Sequence, residues 1–370
     1  MRTAVVLVLL LCQCIPSSSQ ECRPELLENV DFPGTDIEFV YSPDVNHCQQ
    51  LCTQHPSCLF FTFFRADWTK DIRHFFCYLK RTDSGQPQVQ IPVLGLTSGY
   101  SLKPCQTNSP SCFDTIYSNV DFFGADYRSL FTSDYEECQR ACTQDPGCQF
   151  FTWIDSPFSD TKIRYKCHLK FSWTVPVTPI VEKKNGVVSG FSQNVQISTI
   201  QLKECLHTYF PGVDIAGSDF LNMPAASPEH CQLLCSVHPS CTYFSFESTT
   251  CFLKNNQNNM TTAAKKGVTS GLPSRFCEQD TNWLTVAHEG LDLRGSDMTF
   301  VVLDDAESCR RACNDDSNCQ FYTYVTENFS DSAYLQRCYL KRAITIPAPP
   351  KVTKLANVVS GFALRNCGIV

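Results

Sequence analysis

The chain has 370 residues, a formal net charge of -7, 43% hydrophobic residues and 24 cysteines. Cysteines at this density are rare in the cytosol, whereas an oxidising compartment converts them into disulfides. Lysines and arginines are scattered or paired and form no long basic stripe, which argues against nucleic acid and heavily sulfated glycans as partners.

Residues 1–20 contain a basic Arg2, an apolar run from Ala4 to Leu11 and a small polar end from Pro16 to Gln20. This order is typical of a secretory signal peptide. The run is too short to cross a bilayer, and no later stretch approaches the roughly 20 apolar residues of a transmembrane helix. We therefore expect a cleaved signal peptide at 1–20, and a secreted mature chain without membrane insertion.

One sequence unit is repeated four times along the rest of the chain, and such a repeat is a stronger indicator of the fold than any other pattern in the sequence. Each copy has Cys-x3-Cys-x5-Cys followed by aromatic residues, then Cys-x-Leu-Lys, then Ser-Gly and a hydrophobic residue. The three clustered cysteines are Cys48, Cys52 and Cys58; Cys138, Cys142 and Cys148; Cys231, Cys235 and Cys241; and Cys309, Cys313 and Cys319. The repeat is long enough to be one small domain.

Within a copy, a turn rich in aspartate and glycine comes first. The next element is a helix, because the first two clustered cysteines are four residues apart and share a helix face. Ser42-Pro43 and a capping box from Ser133 to Glu136 predict helix starts. Aromatic runs such as Leu59 to Phe64 predict strands. The fold class is therefore α+β, with one helix against a small antiparallel sheet. At about 80 to 90 residues the core is modest, and disulfides worth roughly 2–4 kcal/mol each are needed.

These motifs resemble the PAN or apple domains that form the heavy chains of plasma kallikrein and coagulation factor XI, and the resemblance covers the mature chain. It implies four tandem apple domains at 21–105, 112–204, 205–277 and 278–367. The chain stops at Val370, three residues past Cys367, with no Gly-Asp-Ser-Gly motif. We therefore expect no protease domain, no enzymatic activity and no required cofactor.

The resemblance also implies the disulfides. The second helix cysteine closes a small loop with the third, the first reaches the Cys-x-Leu-Lys strand, and an outer pair ties the domain ends. The implied pairs are Cys22–Cys105, Cys48–Cys77, Cys52–Cys58, Cys138–Cys167, Cys142–Cys148, Cys205–Cys277, Cys231–Cys251, Cys235–Cys241, Cys309–Cys338 and Cys313–Cys319. Zinc binding by the clusters is the weaker reading in a secreted chain.

Cys112 and Cys367 are left over. Copy two has Gln196 where its closing cysteine is expected, and copy four has Trp283 in place of its first one. The two cysteines could bond to each other if copies two and four met edge to edge, but we expect an intersubunit bond through Cys367 and a disulfide-linked homodimer. In a rival assignment Cys205 belongs to copy two, and copy three is left one cysteine short.

An Asp-x-x-Gly-x-Asp motif opens every copy. It is either a tight turn, in which glycine adopts positive φ and aspartate caps backbone donors, or a set of carboxylates that accept sugar hydroxyls or hold Ca²⁺. The candidate carbohydrate or calcium residues are Asp31, Asp36, Asp121, Asp126, Asp214, Asp219, Asp292 and Asp297. Separately, Asn259 and Asn328 begin N-x-[ST] sequons and predict N-glycosylation.

Apple arrays without a protease resemble the kallikrein-like lectins of fish, the kalliklectins. That resemblance implies a secreted mannose-binding lectin of innate defence in mucus or plasma, in which several weak sites act together. Two other functions stay open. One is a protein-binding scaffold like the contact-protease heavy chains, docking a kininogen-like partner. The other is a structural component of mucus or matrix.

Overall fold

The computed structural model describes residues 22–105, 113–172, 180–193, 209–256, 260–274, 282–343 and 348–364. These residues form four five-stranded antiparallel sheets, each with one α-helix. The α+β architecture is the one that the repeat predicts.

Each copy has five strands and one helix in the same order along the chain. Copy one contains β1 (Leu26–Asp31), β2 (Asp36–Tyr41), α1 (Val45–Gln54), β3 (Phe60–Phe64), β4 (Phe76–Lys80) and β5 (Ile91–Tyr100). Copy two contains β6 (Tyr117–Phe123), β7 (Asp126–Phe131), α2 (Tyr135–Gln144), β8 (Phe150–Ile154), β9 (Lys166–Lys170) and β10 (Ile180–Phe191). Copy three contains β11 (Tyr209–Ile215), β12 (Asp219–Pro224), α3 (Pro228–Val237), β13 (Tyr243–Glu247), β14 (Thr250–Lys254) and β15 (Thr262–Gly271). Copy four contains β16 (His288–Arg294), β17 (Asp297–Val302), α4 (Ala306–Asp315), β18 (Phe321–Val325), β19 (Arg337–Lys341) and β20 (Lys351–Phe362).

In copy one the sheet order is β1-β5-β3-β4-β2, so β2 is an open edge. Side chains alternate across β3, and Phe61 and Phe63 pack with the helix cysteines in a buried cluster. Phe60 and Phe64 face the opposite side, where they meet other aromatic rings. Copy three has the same order, β11-β15-β13-β14-β12. We call these two copies, each with its own five strands and helix, module one and module three.

Copies two and four exchange their last strands. The sheet of copy two has the order β6-β20-β8-β9-β7, and that of copy four has β16-β10-β18-β19-β17. We call them composite module two (β6 to β9, α2 and β20) and composite module four (β16 to β19, α4 and β10). The order of motifs in the sequence predicts that each closing strand belongs to its own copy. That assignment is right for copies one and three and wrong for copies two and four, while the domain boundaries themselves stay predictions.

The exchange is possible because β10 and β20 carry the same Ser-Gly-Phe pattern. Ser360 on β20 pairs its hydroxyl with Thr152 at 2.7 Å, and Ser189 on β10 pairs with Thr323 at 2.8 Å. Module one has the same pair within one copy, between Thr62 and Ser98 at 2.8 Å. Since the serine of β10 and the serine of β20 can each pair with the buried threonine hydroxyl of either sheet, the local sequence does not determine which sheet each strand joins.

Each helix begins at an N-cap side chain that accepts a hydrogen bond from the backbone N–H three residues on: Asp44, Asp134, Ser227 and Asp305. The expected capping box at Ser133 is therefore displaced by one residue. Asp134 is the N-cap, and Ser133 donates its N–H to Glu137 Oε2 at 2.8 Å.

The modules contact one another in two equivalent pairs. Module one packs on composite module two, where His47 on α1 stacks against Phe362 at 5.1 Å between ring centroids. Module three packs on composite module four through the equivalent residues, His230 and Phe191, whose ring centroids lie 4.8 Å apart in an edge-to-face arrangement. The pairs also meet each other, because Met298 O in copy four accepts from Ser57 Oγ of module one at 3.5 Å.

Candidate functional site

The Asp-x-x-Gly-x-Asp motif forms the turn between the first two strands of each copy. Its glycines have positive φ, as at Gly34 (75°) and Gly124 (88°), and the residue after each glycine also has positive φ, as at Thr35 (60°) and Ala125 (60°). Glycine is favoured at its position because positive φ costs a residue with a Cβ conformational energy. The geometry is that of the tight turn.

The second aspartate of each motif forms an ion pair with the buried lysine of Cys-x-Leu-Lys. The pairs are Asp36 with Lys80, Asp126 with Lys170, Asp219 with Lys254, and Asp297 with Lys341. In composite module two the distance is 2.7 Å, and Lys170 Nζ also donates to Gly124 O at 3.2 Å. A buried ammonium is costly unless it is paired and hydrogen-bonded, so these four carboxylates are counterions of the fold.

The pKa of Asp126 reflects this pairing. Burial acts to raise the pKa, but the hydrogen bond with His168 and the charge of Lys170 outweigh it, and the pKa lies below its ordinary value. His168 Nδ1 lies 3.5 Å from the carboxylate. Asp126 is therefore held as an anion between the Lys170 ammonium and the His168 ring.

The first aspartates occupy two different settings. Asp292 is buried and accepts from Lys184 Nζ at 3.0 Å and Thr323 Oγ1 at 3.1 Å. Asp214 accepts from Ser245 Oγ at 3.0 Å. Asp31 and Asp121 are half-buried at the corresponding places. Within the described part of the chain, no three His, Cys, Asp or Glu side chains form a group that could hold a metal ion. The two carboxylates of a motif thus serve separate contacts.

A cluster that none of the sequence motifs predicts lies on the open edge of module one. Phe39 on β2 is 50% exposed and stacks on Phe76 of β4, with ring centroids 5.2 Å apart and planes 9° apart. Tyr78 lies 6.0 Å from Phe39, and Tyr41 lies 4.8 Å from Phe76. We call Phe39, Tyr41, Phe76 and Tyr78 the aromatic edge of module one.

Composite module four carries a related cluster at the same register. Phe300 on β17 is 47% exposed, and Tyr339 lies 5.7 Å from it. The Arg337 guanidinium lies over the rings of Phe300 at 4.6 Å and Tyr334 at 4.9 Å. We call these four residues the aromatic edge of composite module four. This edge places aromatic surface beside the Arg337 guanidinium, a cation with several hydrogen-bond donors.

The fold itself does not require these rings. At the position of Phe39 and Phe300, composite module two has Ser129 and module three has Asn222, because each lies three residues after the second motif aspartate. The spacing Asp-x-x-Phe in copies one and four is the signal that could have identified the edges. Module three has instead a shallow open depression of about 260 Å³, lined by Asp219, Phe220, Leu221 and Asn222.

Nine disulfides join described residues, and all nine are pairs that the resemblance implies. The expected pair Cys205–Cys277 lies outside the described residues, as do Cys112, Cys367, Asn259 and the signal peptide. Asn328 is exposed in the turn after β18. No helix in the described ranges is long and apolar enough to cross a membrane.

Comparison with known proteins identifies the repeated unit. Two family models, both described as PAN domain, match this chain. One matches residues 18–105 and 205–277, and the other matches residues 120–170 and 289–341. Coagulation factor XI of Bos taurus is 29% identical over 365 residues, which are 95% of this chain and 58% of that protein. Micronemal protein 4 of Toxoplasma gondii is 22% identical over 304 residues, which are 72% of this chain and 47% of that protein.

This chain therefore spans less than two thirds of the length of either relative. Among solved structures, the two N-terminal apple domains of Toxoplasma gondii microneme protein 4 match at 21% identity. That match covers 46% of this chain and 93% of the solved one, with a TM-score of 0.18.

Proposed function

The chain belongs to the PAN-domain family, and from that premise we propose that it is a secreted, non-enzymatic lectin for mannose-type glycans in mucus or plasma. The domain matches within the chain are PAN domains, and the alignment with factor XI includes no protease region. Its many disulfides and its similarity to factor XI indicate an extracellular protein. The observation that carries the proposal is the pair of aromatic edges.

A pyranose ring has an apolar face of C–H groups and a rim of hydroxyls. An exposed phenyl ring matches the apolar face, since removing apolar surface from water is favourable by about 25 cal/mol per Å². Hydrogen-bond donors beside the ring then fix the orientation of the sugar. Phe39 with Tyr78, and Phe300 with Arg337, supply this combination of ring and donor.

The motif aspartates have a reduced role in this proposal. Asp36, Asp126, Asp219 and Asp297 are engaged by buried lysines, so a ligand would compete with an ion pair of the fold. Asp31 and Asp121, which make no ion pair among the described residues, are the carboxylates most available to a sugar or to Ca²⁺. Calcium dependence stays a prediction for the chelator experiment below.

A protein-binding scaffold is the second candidate, and the open sheet edges favour it. Each sheet ends on a strand that lies largely in solvent, namely β2, β7, β12 and β17. Such an edge offers unpaired backbone groups to an extended peptide, which can add to the sheet as a further strand. A kininogen-like partner would then bind through its backbone and not through a glycan.

A glycan array on the purified mature protein, with and without chelator, tests the lectin function. We expect binding to mannose-type glycans and agglutination of mannan-bearing yeast that free mannose inhibits. Phe39→Ala with Phe300→Ala should lower glycan binding at least 10-fold, which corresponds to about 1.4 kcal/mol. Phe131→Ala is the matched control, because Phe131 is 66% exposed but is not part of either aromatic edge. Binding of a protein partner that glycans do not inhibit would favour the scaffold instead.

A further inference from the structure

We propose that the aromatic edge of composite module four selects sugars that carry a carboxylate, with the sugar ring held against Phe300 and the carboxylate bound by Arg337. This inference rests on the proposed lectin function and adds a class of ligand to it, because mannose itself has no charged group. It comes from one difference between the two aromatic edges, which are otherwise built at the same register.

The two edges have matching positions along their strands. In each edge a phenylalanine of the outer strand lies opposite a tyrosine of its neighbour: Phe39 opposite Tyr78, and Phe300 opposite Tyr339. Two residues before that tyrosine, module one has Phe76 and composite module four has Arg337. An aromatic ring of one edge is thus replaced by a cation in the other.

The fold does not determine the residue at this position, which directly precedes the buried cysteine of Cys-x-Leu-Lys. The four copies have Phe76, Lys166, Thr250 and Arg337 there. A ring, a hydroxyl and two cations are therefore all compatible with the same strand. Lys166 is a cation in the equivalent place without the ring, because Ser129 stands where composite module four has Phe300.

Arg337 has no acidic partner among the described residues. Its guanidinium lies 4.6 Å from the ring centroid of Phe300 and 4.9 Å from that of Tyr334. Contact with two rings orients the planar guanidinium while leaving its N–H groups in one plane. That arrangement of donors matches the two oxygens of a carboxylate, which a guanidinium binds through parallel charge-assisted hydrogen bonds.

The carboxylates closest to this edge in the sequence and in the sheet are engaged elsewhere. Asp297, on the same strand as Phe300, forms the ion pair with the buried Lys341. Asp331 accepts a hydrogen bond from the backbone N–H of Ala333 at 3.0 Å and caps a short 3₁₀ helix. The charge of Arg337 is therefore not neutralised by either of them, although the whole chain has a formal net charge of -7.

The aromatic edge of module one has a different electrostatic character. The cation beside Tyr78 is Arg73, which donates to Asp71 Oδ2 at 2.6 Å. Strand β2 also has the exposed Glu38 directly before Phe39, where β17 has a threonine. A carboxylated ligand thus finds no unpaired cation at module one, whereas it finds Arg337 at composite module four.

A carboxylated pyranose presents an apolar face of C–H groups and a carboxylate on the same ring. Phe300 is 47% exposed and Tyr334 is 43% exposed, although the guanidinium lies over both rings. The apolar face of the sugar can therefore pack on a ring while its carboxylate accepts from Arg337. Sialic acids and uronic acids share this chemistry. One guanidinium fits one carboxylate and not a densely charged polymer, in agreement with the lack of a long basic stripe in the sequence.

Binding of matched sugar pairs to the purified mature protein tests the proposal. Methyl glucuronide and methyl glucoside differ in the carboxylate, and sialyllactose and its carboxamide differ in the charge of that group. We expect the acidic member of a pair to bind roughly 10- to 100-fold more tightly, as one charge-assisted contact provides. Added salt should reduce this preference. Comparing the two pairs shows which source of the carboxylate fits the edge.

Two variants of Arg337 and one control locate the preference. Arg337→Phe introduces the residue that module one has at this position, and it should abolish the preference for the acidic sugar. Arg337→Gln keeps hydrogen-bond donors without the charge and should do the same, so that the test does not depend on one variant folding. Lys166→Phe is the matched control, and it should leave the preference unchanged because no aromatic edge lies beside Lys166.

The outcomes separate this proposal from the lectin function itself. If mannose-type glycans bind and neither acidic sugar is preferred, the carboxylate site is refuted and the lectin function stands. If no glycan of any kind binds, both are refuted. A preference that survives both Arg337 variants, or that Lys166→Phe also removes, would place the anion elsewhere on the molecule and overturn the assignment to composite module four.

Discussion

Replacing the counterion of a buried lysine tests whether the aspartate motif is structural. In composite module two we consider Asp126→Asn, which leaves Lys170 in place with its side chain 3% exposed. Removing one partner of a fully buried ion pair costs about 3–5 kcal/mol. The Asp126 side chain is 46% exposed, and water reaching the site therefore compensates part of the loss. We expect the free energy of unfolding to fall by about 2–3 kcal/mol.

Denaturant titration of the purified mature protein measures this loss, together with the secreted yield. Asp121→Asn is the control, because Asp121 is the first carboxylate of the same motif and makes no ion pair among the described residues. Asp126→Asn combined with Lys170→Met should regain most of the stability, because no buried charge then lacks a partner. If Asp126→Asn keeps full stability but loses sugar binding, the carboxylate is a ligand group and the structural reasoning is refuted.

Three further outcomes are expected. Burial, Lys103 and Arg342 lower the pKa of His55 to about 4, while Glu38 lies 4.0 Å from its ring. Because the unfolded chain takes up this proton near pH 6.5 and the folded chain only near pH 4, the free energy of unfolding should fall as the pH is lowered from 6.5 to 4. His55→Gln should make the denaturation midpoint less dependent on pH over that range. Asn328→Gln should abolish glycosylation at that sequon, as a mass shift shows. A broad peptide panel should give no turnover, and cleavage that serine-directed inhibitors abolish would contradict this.

The elements inside each copy are predictable because their signals are local. Cys48 and Cys52 are four residues apart, and both lie buried on α1. The aromatic run after Cys58 forms β3, in which every residue is buried. Helix position and strand position therefore follow from local patterns, whereas the small disulfide loops are implied by the resemblance to apple domains.

The exchange and the candidate site depend on contacts between distant residues. Lys170 and Asp126 are 44 residues apart, and nothing near Lys170 in the sequence shows that its partner is a turn carboxylate. Phe39 meets Phe76 only because β2 and β4 are neighbours in the sheet. For β10 and β20 even the local pattern is shared, so the choice of sheet is made by the packing of whole modules and not by either strand.

The exchange also bears on how two aromatic edges act together. Module one and composite module four carry the edges, and they touch directly, since Met298 O accepts from Ser57 and from Arg81 Nη1 at 3.4 Å. Composite module four is in turn held to copy two by β10. The separation of the two edges is thus set by packed modules and not by a flexible linker. Under the proposed lectin function, a glycan with repeated sugars would meet a second site at a fixed distance, and pre-organisation of this kind raises the effective concentration of that site. Under the same proposal, a single module with one weak site would bind glycans poorly.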